Sequence, residues 1–551
     1  MSEQRPATAI DAVAERHLET VLRLQPALAL SLGVPDAAPG LGDRSPAGLA
    51  EVAAADRATL AALDEAERTG GPVDDVDRVT LAALRDRLGL EVALEEAGEL
   101  LGDLNVIASP VQDLRMVFDL LPTETDDDWR AAGERLAAVP AAVAGYVESL
   151  RAAAAAGRVA SVRQVRACAT EAESYAAPDG FFGTFAAGHG ADVERAGAAA
   201  SRAYGDLAQF LATDLLPQAP ETDAVGRDRY ELWSRWFVGA RVDLDETYAW
   251  GLDEVARLRA QMADVARQVC GSPDVHEAAA VLDAAPSAVV EGAANFRAWM
   301  QDRSDETVEA VQGKHFDIPE QILRLECRIA PTTGGGIYYT GPSEDFTRPG
   351  RMWWAVPTGQ TRFSTWREAT TVHHEGVPGH HLQVGQTAVR SEVLNRWRRQ
   401  GCWISGHGEG WALYAERLMQ DLGFLRGPGE VLGMLDAQLL RAGRVVIDIG
   451  VHCGLPAPAE VGGGAWTYDK AWAYLQSVSG NHPDVLRFEL DRYLGWAGQA
   501  PSYKVGERLW TALRDDVAAA QGAAFDLKAF HRRALDVGSV GLDVLRSALL
   551  P

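Results

Sequence analysis

Residues 371 to 383, Thr-Val-His-His-Glu-Gly-Val-Pro-Gly-His-His-Leu-Gln, constrain this chain more than any other stretch. They hold four of its 12 histidines, with a glutamate between them. A His-Glu pair followed within two turns by another His can bind Zn²⁺ through two imidazoles, with the Glu acting on water that the metal activates. The usual spacing places the two His at i and i+4 on one helix face. Here His374 to His380 is i to i+6, about 240° of rotation and about 9 Å of rise on a regular helix. Two imidazoles so placed cannot share an ion at roughly 2 Å. The pairs His374/His381 and His373/His380 share a face at i, i+7 but stand about 10.5 Å apart along the axis. Pro378 offers a way out, because it cannot donate to the carbonyl of His374 and its ring crowds that turn. Gly379 then tolerates unusual dihedrals. The spacing therefore predicts a break or bulge at Pro378-Gly379 that returns the second His toward the first. His380 requires less rewinding than His381 and is the preferred partner of His374. His381 and His373 remain alternatives.

A third ligand is expected downstream, on a following helix. Residues 406 to 418, Gly-His-Gly-Glu-Gly-Trp-Ala-Leu-Tyr-Ala-Glu-Arg-Leu, offer Glu409 and Glu416. Glu409 opens an Ala/Leu-rich helical run between two glycines, where backbone can approach closely. Glu416 lies two turns on and faces the same way, which suits a carboxylate that orients a ligand His. A single Zn²⁺ held by His374, His380 and Glu409 is the expectation.

The formal charge of −26 is spread along the chain and argues against nucleic acid and anionic membranes as partners. Five scattered cysteines form neither a disulfide framework nor a Cys zinc site. The first residues lack an apolar signal core, and no run of about 18 apolar residues occurs, so a cytoplasmic protein is expected. Aromatics are only 7% and Ala is abundant, which favours helix over sheet.

Helical runs separated by short polar links fill residues 7 to 213, with Gly70-Gly71-Pro72 as a clear breaker. The pattern suggests a helical N-terminal half, about 1 to 222, and a C-terminal half, about 223 to 551, of one catalytic unit. Between about 315 and 357 the character changes. Ile322 to Ile329, Ile337 to Tyr339 and Arg351 to Val356 read as strands of a small sheet just before the His-rich helix. Residues 351 to 356 are the candidate for an edge strand pairing with an extended substrate.

The segments His374-Glu375-Gly-Val-Pro-Gly-His380-His381-Leu-Gln and Glu409-Gly-Trp-Ala-Leu-Tyr-Ala-Glu416 resemble the bacterial family known as domain of unknown function 885. So do Tyr338-Tyr339 with Arg348-Pro349-Gly350, Arg441…Arg444…Asp448…His452, Gln499-Ala-Pro-Ser-Tyr503-Lys504-Val-Gly506, and Phe530-His531. Two positions depart from the family pattern, Asp345-Phe346-Thr347 and Pro501, and neither touches the candidate ligands. The resemblance implies a mainly α, large helical zincin-like metallopeptidase fold with a small β-sheet lining the active-site cleft, related to helical metallocarboxypeptidases.

Hydrolysis at zinc also needs a base, an oxyanion donor and substrate contacts. Glu375 is the expected general base by position. Tyr503, in a matched motif, is the expected oxyanion donor, with Tyr338 and Tyr339 as weaker candidates. Arg441, Arg444 and Lys504 are candidates for holding a substrate carboxylate. Arg444 and Asp448, at i and i+4, equally read as a helix salt bridge. Two functions from different classes remain: a zinc-dependent hydrolase of a peptide or related amide, and a helical binding or scaffold protein with a non-catalytic metal site. Within the first, a small-molecule amide of a biosynthetic pathway competes with a peptide. Oligomeric state is left open.

Overall fold

The computed structural model describes residues 5–34, 38–330 and 336–550. It is mainly helical with small sheets, and the chain divides into two compact units. The N-terminal unit comprises Ala7–Gly226 together with Arg487–Ala497. Its longer helices are α1 (Ala9–Leu24), α2 (Pro46–Thr69), α3 (Asp75–Glu96), α4 (Asp126–Ala155), α5 (Val162–Ala176) and α6 (Ala191–Phe210). Their starts are written locally. Thr8 with Asp11, Asp74 with Asp77 and Thr125 with Asp128 each form a capping box, satisfying amide groups that the helix leaves open. The apolar stripes of α4, α5 and α6 close on one core, in which Leu136, Val139, Phe182, Tyr204 and Leu207 are sealed from solvent.

The C-terminal unit comprises Arg227–Leu486 and Gly498–Pro551, with Met1–Pro6. The helices that bear on the site are α7 (Leu244–Cys270), α8 (Ala293–Val311), α9 (Thr365–Glu375), α10 (His380–Val389), α11 (Ser405–Asp421), α12 (Pro428–His452), α13 (Ser502–Gln521) and α14 (Leu527–Asp536). Strands β1 (Val289–Glu291), β2 (Leu325–Ile329), β3 (Ile337–Thr340), β4 (Gly350–Trp354) and β5 (Arg362–Ser364) complete it. β1 and β5 form an antiparallel ribbon. The other three form a sheet in the order β2-β4-β3, with β2 parallel and β3 antiparallel to β4.

That order corrects the edge-strand expectation. Residues 350–354 are the central strand, paired on both sides. The reason lies in burial: Gly350, Met352 and Trp354 all face the core, where Met352 and Trp354 join Phe296, Met300, Phe363 and Val372. The outer edge of β2 is also closed, by a side chain that behaves like a strand. Gln301 of α8 accepts from Cys327 N at 2.9 Å and donates to Leu325 O at 2.8 Å. Val372, on α9, links this core to the helix that carries the His cluster.

Two helix crossings depend on missing side chains. A Cβ at Gly410 of α11 would lie 2.4 Å from the carbonyl carbon of Gly506 on α13, and one at Gly506 would lie 2.3 Å from the carbonyl oxygen of Gly406. The two helices therefore meet backbone to backbone, on either side of Glu409. A Cβ at Gly433 of α12 would lie 2.2 Å from the carbonyl oxygen of Trp366 on α9, which brings the third wall of the site equally close.

Candidate metal centre

The helix bearing the His-rich stretch is interrupted, as the i, i+6 spacing requires. α9 ends at Glu375, Gly376 to Gly379 leave helical geometry, and α10 begins at His380. The Val377–Pro378 peptide bond is cis. Gly379 N donates to the carbonyl of His373 at 3.1 Å, six residues back, and His381 N to that of Gly376 at 3.1 Å. Gly379 must be glycine for space: a Cβ there would stand 1.8 Å from the carbonyl oxygen of His374. Trp411 of α11, fully buried, fastens the turn by donating from Nε1 to the carbonyl of Pro378 at 2.7 Å.

The break brings three ligand-type side chains together. Glu409 Oε2 lies 3.3 Å from His374 Nε2 and 3.5 Å from His380 Nε2. The three ligand atoms lie within 4.8 Å of one another. Two ligands bound to one tetrahedral ion at about 2.0–2.1 Å stand roughly 3.3 Å apart, so the set fits a zinc-sized cation. The ring of His374 is also placed correctly. Its Nδ1 lies 2.8 Å from Glu416 Oε1, which fixes the ring's orientation and would leave Nε2, facing Glu409, as the nitrogen to bind a cation once its own proton is released. Glu416 is held in turn by Thr370 Oγ1 at 2.8 Å. His380 lacks such a carboxylate; its Nδ1 is sealed without a hydrogen-bond partner among the described residues.

The electrostatics favour a positive charge at the centre of the cluster. Burial alone lowers the pKa of His374, yet the bonds to Glu409 and Glu416 outweigh it and push the pKa up to about 10. Burial raises the Glu409 pKa, but His374 and His380 hold it well below the usual carboxylate range. Glu375 behaves differently. Burial pushes its pKa up against the nearby His374, His380 and Arg441. Its Oε2 is sealed and has no hydrogen-bond partner among the described residues.

The other histidines of the stretch are engaged elsewhere. His381 receives Tyr339 Oη on Nδ1 at 3.0 Å and gives its Nε2 proton to the carbonyl of Ile322 at 2.8 Å. Both ring nitrogens are thus occupied, and Tyr339 serves to orient His381. Nδ1 of His373 faces the carbonyl of Val377 at 3.4 Å, inside the turn. Burial pulls the His373 pKa down to about 3 and that of His381 to about 4, so both are neutral.

The substrate-contact candidates separate by geometry. Tyr338 is 39% exposed and stacks on Trp353, on the outer face of the sheet. Lys504 is sealed, with its ammonium on Glu254 at 3.0 Å and also on Glu507 and Gln438. That removes it as a substrate anchor: its charge is already neutralised by helices α7 and α13. Arg444, buried, stacks its guanidinium 4.9 Å from the centre of the Tyr503 ring. Tyr503 lies one turn before Gly506, hence beside the crossing that carries Glu409. Arg441 makes one hydrogen bond, to the carbonyl of Ala437 in its own helix at 3.1 Å, and no carboxylate pairs with it among the described residues. Its charge acts on both Glu375 and Glu416.

Sequence reasoning missed Trp403, Thr370 and Trp411. Trp403 is 48% exposed, rests against Gly408 next to Glu409, and its ring centre lies 6.0 Å from that of His380. It sits in an irregular stretch between helices, where no periodic signal marks it. Thr370 stands at i−4 from His374, so helical spacing alone could have found it.

A helical chain with two buried histidines and a partly buried glutamate in one cluster, and beside it a buried Glu375 whose Oε2 has no hydrogen-bond partner among the described residues, defines a class of candidate metalloproteins. This chain belongs to the family described as bacterial protein of unknown function (DUF885), whose model matches residues 26–549. It is similar to the crystal structure of a protein from Colwellia psychrerythraea described as a putative lipoprotein, at 21% identity over 98% of each chain and a TM-score of 0.82. It is also similar to one from Shewanella oneidensis, described as a putative lipoprotein of unknown function, at 17% identity over 99% of this chain and 100% of that one, with a TM-score of 0.73. At such identities the likeness is one of fold. No curated protein matches the chain. Among the described residues, no helix is long and apolar enough to cross a membrane.

Proposed function

We propose that this protein is a zincin-like, zinc-dependent hydrolase of a peptide or related amide bond. The observation that carries this reading is the desolvated Glu375 carboxylate, whose Oε2 has no hydrogen-bond partner among the described residues, adjacent to a His374–His380–Glu409 set with tetrahedral spacing. A buried carboxylate kept for structure alone is ordinarily hydrogen-bonded, because leaving it bare costs free energy. Zinc bound by His374, His380 and Glu409 would supply Lewis acidity, making water acidic enough to attack and polarising the carbonyl.

The chain's own groups do the rest. Glu375, its basicity raised by burial, takes the proton of the attacking water and returns it to the leaving amine. Glu416 and Thr370 keep His374 in one tautomer and one orientation. Tyr503 offers a neutral donor to the developing oxyanion. Arg441, which has no paired carboxylate among the described residues, holds a substrate carboxylate through its planar fork. Trp403 provides an exposed aromatic wall for the residue next to the scissile bond.

The test is elemental analysis of the purified protein followed by digestion of a peptide library, with Glu375→Gln alongside. One zinc per chain and cleavage that collapses in the variant support the proposal. A wild-type rate in Glu375→Gln on any substrate that the parent cleaves would overturn it.

A further inference from the structure

A groove of about 410 Å³ opens in the C-terminal unit between α7, α11 and α13. Its walls are dense in charge, and nearly every cation there already has a counter-charge. Arg257 forks onto Glu254 with two contacts of 2.6 Å. Lys504 is shared by Glu254 and Glu507, and Arg514 lies 2.7 Å from Asp515. Arg508 reaches Glu246 at 2.6 Å.

Arg417 is the exception. Its guanidinium donates only to two amide oxygens, Gln420 Oε1 at 3.2 Å and Gln261 Oε1 at 3.3 Å. Among the described residues no carboxylate pairs with it. Glu507, Glu254 and Glu416 act on it from a distance, and each is committed to Lys504, Arg257 or His374. Asp421, one turn along α11, is exposed and lines the groove, and it makes no ion pair with Arg417. Burial, with the nearby Arg257, pulls the Arg417 pKa down by more than those distant carboxylates raise it.

We propose that this groove binds a small oxyanion, a carboxylate or a phosphate, through the guanidinium of Arg417. The planar fork of Arg matches two oxygens of either group, and a compact anion would supply the counter-charge that the protein withholds. A volume of this size falls within the range of small-molecule sites. The inference stands apart from the hydrolase reading, since none of the groove's groups is one of the three candidate ligands.

Equilibrium dialysis at fixed ionic strength, with inorganic phosphate in one arm and succinate in the other, tests it. Phosphate can also ligate a metal, so the His374→Ala variant is measured in parallel. The expected result is one saturable site for at least one of the two anions, retained in His374→Ala and weakened tenfold or more in Arg417→Gln. The arm that binds tells which anion class the groove takes. Where Arg417→Gln folds poorly, Arg417→Lys decides: it keeps the charge without the fork, and its affinity should fall several-fold. Absence of saturable binding in both arms overturns the proposal. So does binding that is lost in His374→Ala, or binding undiminished in Arg417→Gln or in a folded Arg417→Lys.

Discussion

At the scale of the residue, Glu375, Glu409 and Glu416 share one chemistry and differ only in surroundings, so the same substitution should separate them. Glu375→Gln keeps shape and loses basicity. Zinc content should be unchanged while turnover falls by about 10²- to 10⁴-fold, the usual worth of a general base. Glu409→Gln should instead lower zinc content, because Glu409 stands 3.3 Å and 3.5 Å from the two imidazoles. Glu416→Gln touches His374 only through Nδ1, and a zinc affinity lowered by about 10- to 100-fold is expected. A competition titration against a chelator of known affinity distinguishes the last two. If Glu416→Gln binds zinc as tightly as the parent, Glu416 has no part in orienting His374. The roles of His380 and His381 divide in the same assay. His380→Ala should abolish binding, whereas His381→Ala, which removes a ring whose nitrogens serve Tyr339 and Ile322, should cost stability and spare the metal.

At the scale of the element, the site depends on glycines that let backbones meet. Gly379→Ala places a Cβ 1.8 Å from the carbonyl oxygen of His374, a position that no rotamer change relieves. The turn must reopen, and His380 then moves away from His374. Loss of zinc together with a destabilisation at or above the usual 1–3 kcal/mol of overpacking is expected, read by metal analysis and denaturant titration. Gly410→Ala acts on the α11–α13 crossing, where the new Cβ would stand 2.4 Å from Gly506. A comparable loss of stability is expected, with zinc affinity reduced because Glu409 neighbours the crossing. A Gly410→Ala protein with parental stability would mean that the two helices are free to separate. The sheet teaches a related lesson. An aromatic run bounded by Gly and Pro marked 351–356 as a strand, but such a run describes one segment and carries nothing about its neighbours. β4 became central because β2 and β3 both found it, while Gln301 closed the edge of β2.

At the scale of the whole molecule, several histidines are buried neutral, and acid should act through them. Burial pulls the His531 pKa down to about 3, where its Nε2 accepts from Tyr414 Oη at 2.8 Å. The unfolded chain protonates the same ring near 6.5. Between those values the unfolded state holds the extra proton, so stability is full above about pH 6.5 and declines as pH falls toward 3. Each such group contributes a slope of about 1.4 kcal/mol per pH unit. His531→Asn should therefore be less stable than the parent at neutral pH, with the gap narrowing as the solution is acidified. Urea titrations at several pH values between 4 and 7 check this, and parallel acid limbs for the two proteins would contradict it.

Much of the site was legible in the sequence because metal chemistry limits residue type and spacing together. His374, His380 and Glu409 stood out as ligand types, and the i, i+6 spacing demanded a break that Pro378 and Gly379 could supply. Local rules of this kind act within a turn or two, which is why the helix starts at Thr8, Asp74 and Thr125 also follow from short sequence signals. Tertiary packing decided what no local rule reaches. It assigned His381 to Tyr339 and Ile322, removed Lys504 from the list of substrate anchors by surrounding it with Glu254 and Glu507, and set Trp403 beside His380. Partners of this sort come from segments tens to hundreds of residues apart. Which charge meets which counter-charge is fixed only when the helices have closed on one another, and it is that pairing, not the residue's identity, that among the described residues leaves Glu375 Oε2 without a hydrogen-bond partner and Arg441 and Arg417 without a paired carboxylate.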